Sequence, residues 1–193
     1  MKMKNLLMTF MCLIAAGTTF ANTGSTLKSG DDGKVKAVDS VDLKRYAGKW
    51  YEIARYPNRF QKKCAGNVTA TYSLKDNGRI NVLNECIKQN GEKMDAEGEA
   101  KIVDKRSNSK LKVRFAPGWL SWLPFVWGDY WILDLDEDYR YAVIGDPSRD
   151  YLWILSRDPK LDDAAYDGIL ARVKEMGFEP GRLVKTPQDQ NRK

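Results

Sequence analysis

Histidine is absent from this chain of 193 residues, and cysteine appears three times. The first absence removes whole reaction classes: no Ser-His-Asp or Cys-His nucleophile, no imidazole base and no His-bearing zinc site. Three cysteines are too few for an all-thiolate metal site, so neither metal nor cofactor is expected. No apolar run approaches the roughly 20 residues of a spanning helix. No basic block is long enough to suggest nucleic-acid binding, because 32 Lys and Arg are interspersed with 26 Asp and Glu and net only +6. What remains is ordinary globular material. Hydrophobic residues make up 42%, too many for a disordered chain. The length fits one domain able to bury a core.

Lys2 and Lys4 precede an apolar run over 6–16, and Thr19-Phe20-Ala21 supplies a small-residue exit. The pattern reads as a secretory signal over 1–21, cut after Ala21; the alternative is a buried N-terminal helix. Cys12 leaves with that segment. A bacterial lipoprotein signal places small residues just before its cysteine, and Thr9-Phe10-Met11 fits poorly. A lipid anchor is therefore disfavoured, and the expected location is the periplasm, with association at the outer membrane left open. Two cysteines remain, Cys64 and Cys86, and an even count in an exported chain suggests one disulfide. Closing that loop contributes about 3 kcal/mol in the chain-entropy model. The alternative is two free thiols.

Residues 22–41 are rich in Gly, Ser, Asp and Lys, lack an apolar period and read as a flexible leader. Beyond Gly48, short β-rich runs recur at 49–56, 67–74, 79–88, 93–103, 110–116, 128–135, 139–145 and 151–157. Asp76-Asn77-Gly78 and Asn90-Gly91 mark tight turns between them. The fifth run alternates Leu111, Val113 and Phe115 against Lys110, Lys112 and Arg114. The last three runs are apolar on both faces, so something covers one side of the sheet. The cover is expected to be a helix begun by Asp162 or Asp163, with Ala165, Ile169, Val173 and Met176 on one face and Gly177 at its end. A short run at 182–185 adds a last strand, and 188–193 reads as a disordered tail. Eight sequential strands with short turns fit an all-β, antiparallel up-and-down barrel, which removes its edges by closing. A sandwich would have the same periodicity.

Two stretches carry a resemblance. Gly48-Lys49-Trp50-Tyr51-Glu52-Ile53-Ala54-Arg55-Tyr56-Pro57 and Asp150-Tyr151-Leu152-Trp153-Ile154-Leu155-Ser156-Arg157 resemble the first and last motifs of the lipocalin family. The family's middle motif, Thr-Asp-Tyr, is replaced by Leu135-Asp136-Glu137 with Tyr139 two residues on, so that turn departs from the pattern. The sequence is most similar to bacterial lipocalins of the outer-membrane lipoprotein type and to the apolipoprotein D-like branch. The resemblance implies an eight-stranded barrel domain over about 42–187 with the helix packed outside. Trp50 is expected to plug the barrel floor with Arg157 across it, both in structural roles.

Placing Trp50 at the floor brings Cys64 and Cys86 to the mouth end together, which favours their pairing. Counting by twos from Trp50 turns Glu52, Ala54 and Tyr56 inward. The family pattern adds Val82, Asn84, Ala96, Gly98, Val113, Phe115, Tyr130, Ile132, Ile144, Tyr151 and Trp153. The expected ligand-binding set is these lining residues, less Glu52, Ala54 and Gly98, together with Asn58 and Phe60; Tyr56, Asn58 and Asn84 would orient a headgroup. The implied function is an exported binding protein, not an enzyme, that carries or scavenges fatty acids, lysophospholipids or similar small hydrophobic ligands in cell-envelope storage or transport. A monomer or weak homodimer is expected. The alternative is that these side chains simply fill the lumen.

The connection over 117–127 breaks the rule that loops are polar. It contains Trp119, Leu120, Trp122, Leu123 and Phe125 without a charge. Either it folds over the cavity as a lid, or it meets a membrane surface, where indoles favour the headgroup layer. Two other functions stay open: a cavity-thiol isomerase using Cys86, which a disulfide would silence, and an adaptor binding a protein through the aromatic loop.

Overall fold

The computed structural model describes residues 34–189. The segment expected to be a secretory signal and most of the expected leader, like residues 190–193, fall outside that range. The described chain begins with a short helix α1 (Leu43–Tyr46) capped by the Asp42 carboxylate, which accepts from the Lys44 and Arg45 amides. Eight strands follow: β1 (Gly48–Arg55), β2 (Cys64–Leu74), β3 (Ile80–Lys88), β4 (Lys93–Ile102), β5 (Lys110–Arg114), β6 (Gly128–Leu135), β7 (Tyr141–Gly145) and β8 (Leu152–Ser156). Each pairs antiparallel with the next, and β1 pairs with both β2 and β8, so the sheet closes. Closure satisfies the edge hydrogen bonds that an open sheet of this size would leave exposed.

Helix α2 (Asp163–Glu175) starts at Asp162, whose carboxylate accepts from the Ala165 amide. It ends where Gly177 takes a φ of +80° and Phe178 donates its amide back to Val173 O, a turn that favours glycine. Its buried residues Tyr166, Ile169 and Val173 pack with Ala54, Leu133, Val143, Leu152, Ile154 and Phe178 on the barrel's outer wall. This is the apolar second face expected of the last strands.

Two terminal segments are better packed than composition suggests. Residues 34–41 belong to the stretch read as a flexible leader, yet Val35 and Val41 are buried. Their backbone is held by Val38 N to Ile132 O (2.9 Å) and Val41 N to Ser107 O (2.8 Å). Isolated valines in a polar stretch carry no period, which is why composition misreads them. At the other end, β9 (Val184–Lys185) pairs with β1 at Ala54 and Arg55. Residues 186–189 continue this strap between β1 and β2, which share register only from Gly48↔Tyr72 to Tyr51↔Thr69. Gln188 donates to both Glu52 O (2.8 Å) and Val68 O (2.9 Å), so the tail expected from 188 onward is docked at its start.

Candidate ligand-binding barrel

The floor is built on one indole and one guanidinium. Trp50 is fully buried and donates its indole N–H to Tyr46 O (2.8 Å). Arg157 lies over that ring with its guanidinium carbon 3.8 Å from the centroid. Its Nη1 donates to Lys49 O, and its Nη2 faces the carbonyls of Arg45, Tyr46 and Ala47 at 2.6–3.1 Å. Arg45 O and Ala47 O lie at the C-terminal turn of α1, where carbonyls lack intrahelical partners, and Tyr46 O is shared with the Trp50 indole. The divergent sixth-to-seventh turn also serves the floor. Tyr139 takes a φ of +62°, accepts the Asp42 amide on its hydroxyl (2.8 Å) and stacks under Arg45 at 4.1 Å.

Above Trp50 the lumen is filled. Tyr46, Tyr72 and Tyr130 meet there, with Tyr130 OH 2.7 Å from Tyr46 OH and 2.8 Å from Tyr72 OH. Burial raises the pKa of all three, that of Tyr72 to about 12, so the cluster stays protonated. Val82, Val113, Tyr130 and Ile132 line, with the tyrosines, a residual space of about 10 Å³. That is room for about one water at most. Ile144 is fully buried in the same cluster. These five expected ligand contacts therefore form a packed base, and an alkyl chain does not reach them without displacing the tyrosines.

The mouth half differs. Register places Asn84 opposite Ala96, and Val82 opposite Gly98, on the inner face. Ala96 is nonetheless exposed, and Phe115, which leans over Gly98, is 44% exposed. A Cβ on Gly98 would lie 2.7 Å from the Phe115 ring, so glycine is what admits that ring to the inner wall. Val184, paired with Arg55, is 48% exposed. Inward-facing side chains that keep contact with solvent define an open cup above the tyrosine plug. One side of the cup is an aromatic ladder: Tyr151 stacks on Trp153 (5.6 Å, 4° between planes), and Phe60 sits 5.9 Å from Tyr151. Trp153 donates to Gln61 Oε1 (3.0 Å), and the Asn58 amide nitrogen reaches the same oxygen (2.8 Å).

Counting by twos fails on β1. The pairing with β8 shifts between Glu52 and Ala54, a β-bulge at Ile53. Glu52 points inward as expected, but Ala54 and Tyr56 turn out beneath α2, and Arg55 takes the lumen position beside Trp153. Tyr56 is thereby removed from the expected ligand contacts. Its hydroxyl donates to Glu179 O and accepts from Glu179 N, and Arg182 covers its ring. Arg55, Gln61 and Thr186 were missed, since no periodicity marks a bulge and a C-terminal strap has no signal on β1. Glu52 is 2% exposed. Its Oε1 accepts from Thr186 Oγ1 (2.5 Å) and its Oε2 from Gln61 Nε2 (2.5 Å), while Arg55 Nη1 stands 3.6 Å away. Burial pushes the Glu52 carboxyl up despite those donors.

Cys64, the first residue of β2, is bonded to the buried Cys86 of β3, with 5.7 Å between their Cα atoms. The bond closes 22 residues at the mouth end and removes Cys86 as a thiolate. The aromatic connection folds into two 3₁₀ turns, Gly118–Leu120 and Pro124–Val126. Trp127 anchors it: the indole donates to Ser121 O (2.8 Å), and Lys101 and Arg114 lie over the ring at 4.2 and 5.1 Å. Trp119, Trp122 and Phe125 stand 74–81% exposed, with Leu120 and Leu123 half-buried. This is not a lid buried over the cavity. Among the described residues no helix is long and apolar enough to cross a membrane, and no cluster of acidic or cysteine side chains is arranged to hold a metal.

Residues 41–188 match the family model described as a lipocalin-like domain. The chain is 44% identical over 157 residues to temperature-induced lipocalin-1 of Arabidopsis thaliana, covering 80% of this chain and 83% of that protein. Identity to the outer membrane lipoprotein Blc of Citrobacter freundii is 42% over 155 residues, with the same coverage. Apolipoprotein D of Rattus norvegicus is 35% identical over 163 residues, covering 79% of this chain and 81% of that one. Among solved structures, insecticyanin from the tobacco hornworm Manduca sexta superposes with a TM-score of 0.64 at 22% identity, over 81% of this chain and 85% of that one. Barrel, floor and sequence agree: the chain belongs to the lipocalin family.

Proposed function

We propose that this protein is an exported carrier or scavenger that takes a fatty acid, lysophospholipid or similar amphiphile into the mouth half of its barrel. The observation carrying this reading is the set of inward-facing yet solvent-exposed positions Ala96, Phe115 and Val184 above a plugged floor. Trp153, Tyr151, Phe60 and Phe115 supply apolar contact, and Asn58 and Asn84 supply polar atoms nearby. Each methylene buried contributes about 0.8 kcal/mol before the cost of ordering the chain. Binding needs no covalent step, and the disulfide supports a non-enzymatic role because Cys86 has no thiolate to offer. Relatives named outer membrane lipoproteins support export to the cell envelope. Native mass spectrometry of gently purified protein, followed by lipid extraction, tests the reading. A retained amphiphile at one per chain is expected; a protein that neither retains nor takes up any amphiphile refutes it.

A second reading concerns delivery. Trp119, Trp122 and Phe125 form an exposed aromatic patch held out on a braced loop, and such patches favour the headgroup layer. This supports membrane contact through the loop. The Trp119→Ser/Trp122→Ser variant should lose binding to vesicles of phosphatidylethanolamine and phosphatidylglycerol while folding normally. Undiminished vesicle binding excludes this route, and saturable binding to a single protein without lipid favours an adaptor instead.

A further inference from the structure

We propose that Arg55 is an anion-binding group inside the barrel mouth, receiving the carboxylate or phosphate-monoester head of an amphiphile. The proposal rests on the carrier reading above, because it needs an accessible mouth. Its own support is separate and lies in the bulge at Ile53, which turns an arginine into the lumen where strict alternation would put alanine. Arg55 pairs with Trp153 on one side and with Val184 of the C-terminal strap on the other. Its side chain is 15% exposed, so it is largely withdrawn from water but still reachable from the mouth.

Its hydrogen bonding is incomplete. A guanidinium offers five donors. Nε is buried and has no partner. Nη1 stands 3.6 Å from Glu52 Oε1, too far for a hydrogen bond. Glu52 leaves the arginine incomplete at that distance, while its two oxygens accept from Gln61 and Thr186. A buried donor without an acceptor is costly, and an orphaned one in a native site commonly marks a missing water or ion. An oxyanion presents two oxygens at the spacing of the guanidinium edge, which makes the contact bidentate and charge-assisted. With the head on Arg55, the apolar faces of Trp153, Tyr151 and Phe115 remain for the chain.

Three ligands with one tail separate head from chain: laurate, dodecyl phosphate and dodecanol, each titrated calorimetrically at pH 8 into the full-length exported protein. The wild type should prefer the two anions over dodecanol by roughly tenfold or more, the worth of one charge-assisted hydrogen bond. Arg55→Met should abolish that preference while dodecanol affinity stays within about twofold, and Arg55→Lys should restore part of it. The ratio of laurate to dodecyl phosphate then tells a fatty-acid head from a phosphate head. Equal binding of all three ligands by the wild type, or an anion preference that survives in Arg55→Met, overturns the proposal. So does an equal loss for all three ligands in Arg55→Met, which marks a structural arginine; near-ultraviolet circular dichroism shows whether the variant is folded. If the wild type binds none of the three, the carrier reading fails and takes this proposal with it.

Discussion

Replacing Tyr130 by Phe removes one hydroxyl and two hydrogen bonds. Tyr130 stands in the middle of the plug, 2.7 Å from Tyr46 OH and 2.8 Å from Tyr72 OH, and no bond links the two outer hydroxyls directly. In Tyr130→Phe both outer hydroxyls are left buried without a partner. In Tyr72→Phe one bond is lost and the Tyr46–Tyr130 bond survives. An unsatisfied buried hydroxyl costs about 1–3 kcal/mol. The central variant should therefore lose about 2–6 kcal/mol, and the peripheral one, which loses a bond but strands no hydroxyl, about 0.5–1.5 kcal/mol. The lower values apply if a water enters: the adjoining 10 Å³ space, enlarged by the missing oxygen, admits one able to bridge Tyr46 and Tyr72. Urea unfolding followed by tryptophan fluorescence reads both losses, and a thermal melt should show about 2–4 °C per kcal/mol for a domain of this size. If Tyr130→Phe costs no more than Tyr72→Phe, the three hydroxyls do not act as a chain and the account of the plug is wrong.

Other perturbations follow from the same geometry. Burial raises the Glu52 pKa, so the folded state holds that proton more tightly than the unfolded chain does. Stability is then present below the unfolded value near 4.3 and is lost as pH rises through the raised folded value. Glu52→Gln has no proton to lose and should gain on the wild type as pH climbs from about 4 to 7; a stability difference flat across that range contradicts the assignment. Reducing the Cys64–Cys86 bond, or making Cys64→Ser/Cys86→Ser, should cost about 3 kcal/mol in urea unfolding and leave the barrel intact by far-ultraviolet circular dichroism. No measurable loss would mean that the loop it closes is already ordered without it.

Much of the architecture was legible because period-two alternation and turn chemistry report directly on strands. The fifth run, Leu111-Lys112-Val113-Arg114, needs nothing beyond its own pattern to set its face, and Asp162 with Gly177 brackets α2 by capping alone. Trp50 and Arg157 were legible only through family resemblance, since nothing local says that residues 107 positions apart will stack. The site was legible in part. Register and stacking set Asn84, Ala96, Phe115, Tyr151 and Trp153 along the inner wall, but alternation cannot say how deep the lumen is open. The depth is set by Tyr46, from a helix composition did not announce, closing over Tyr72 and Tyr130. Alternation also assumes an unbroken strand. One extra residue at Ile53 exchanges Arg55 for Ala54 and changes the chemistry of the mouth from apolar to cationic. The docking of Gln188 across β1 and β2 depends on where those strands part, which is a property of the closed barrel and not of either segment.

The central claim is an open cup with an aromatic wall, bounded below by a tyrosine plug, and bromine quenching measures it directly. Dibromostearate quenches indoles only within contact distance, so titration should dim the fluorescence saturably at one ligand per chain. Trp153→Phe should remove most of that quenching, and Trp119→Ser/Trp122→Ser should leave it in place. Absence of saturable quenching, or quenching that survives Trp153→Phe and vanishes with the loop indoles, would put the lipid outside the barrel and contradict the account.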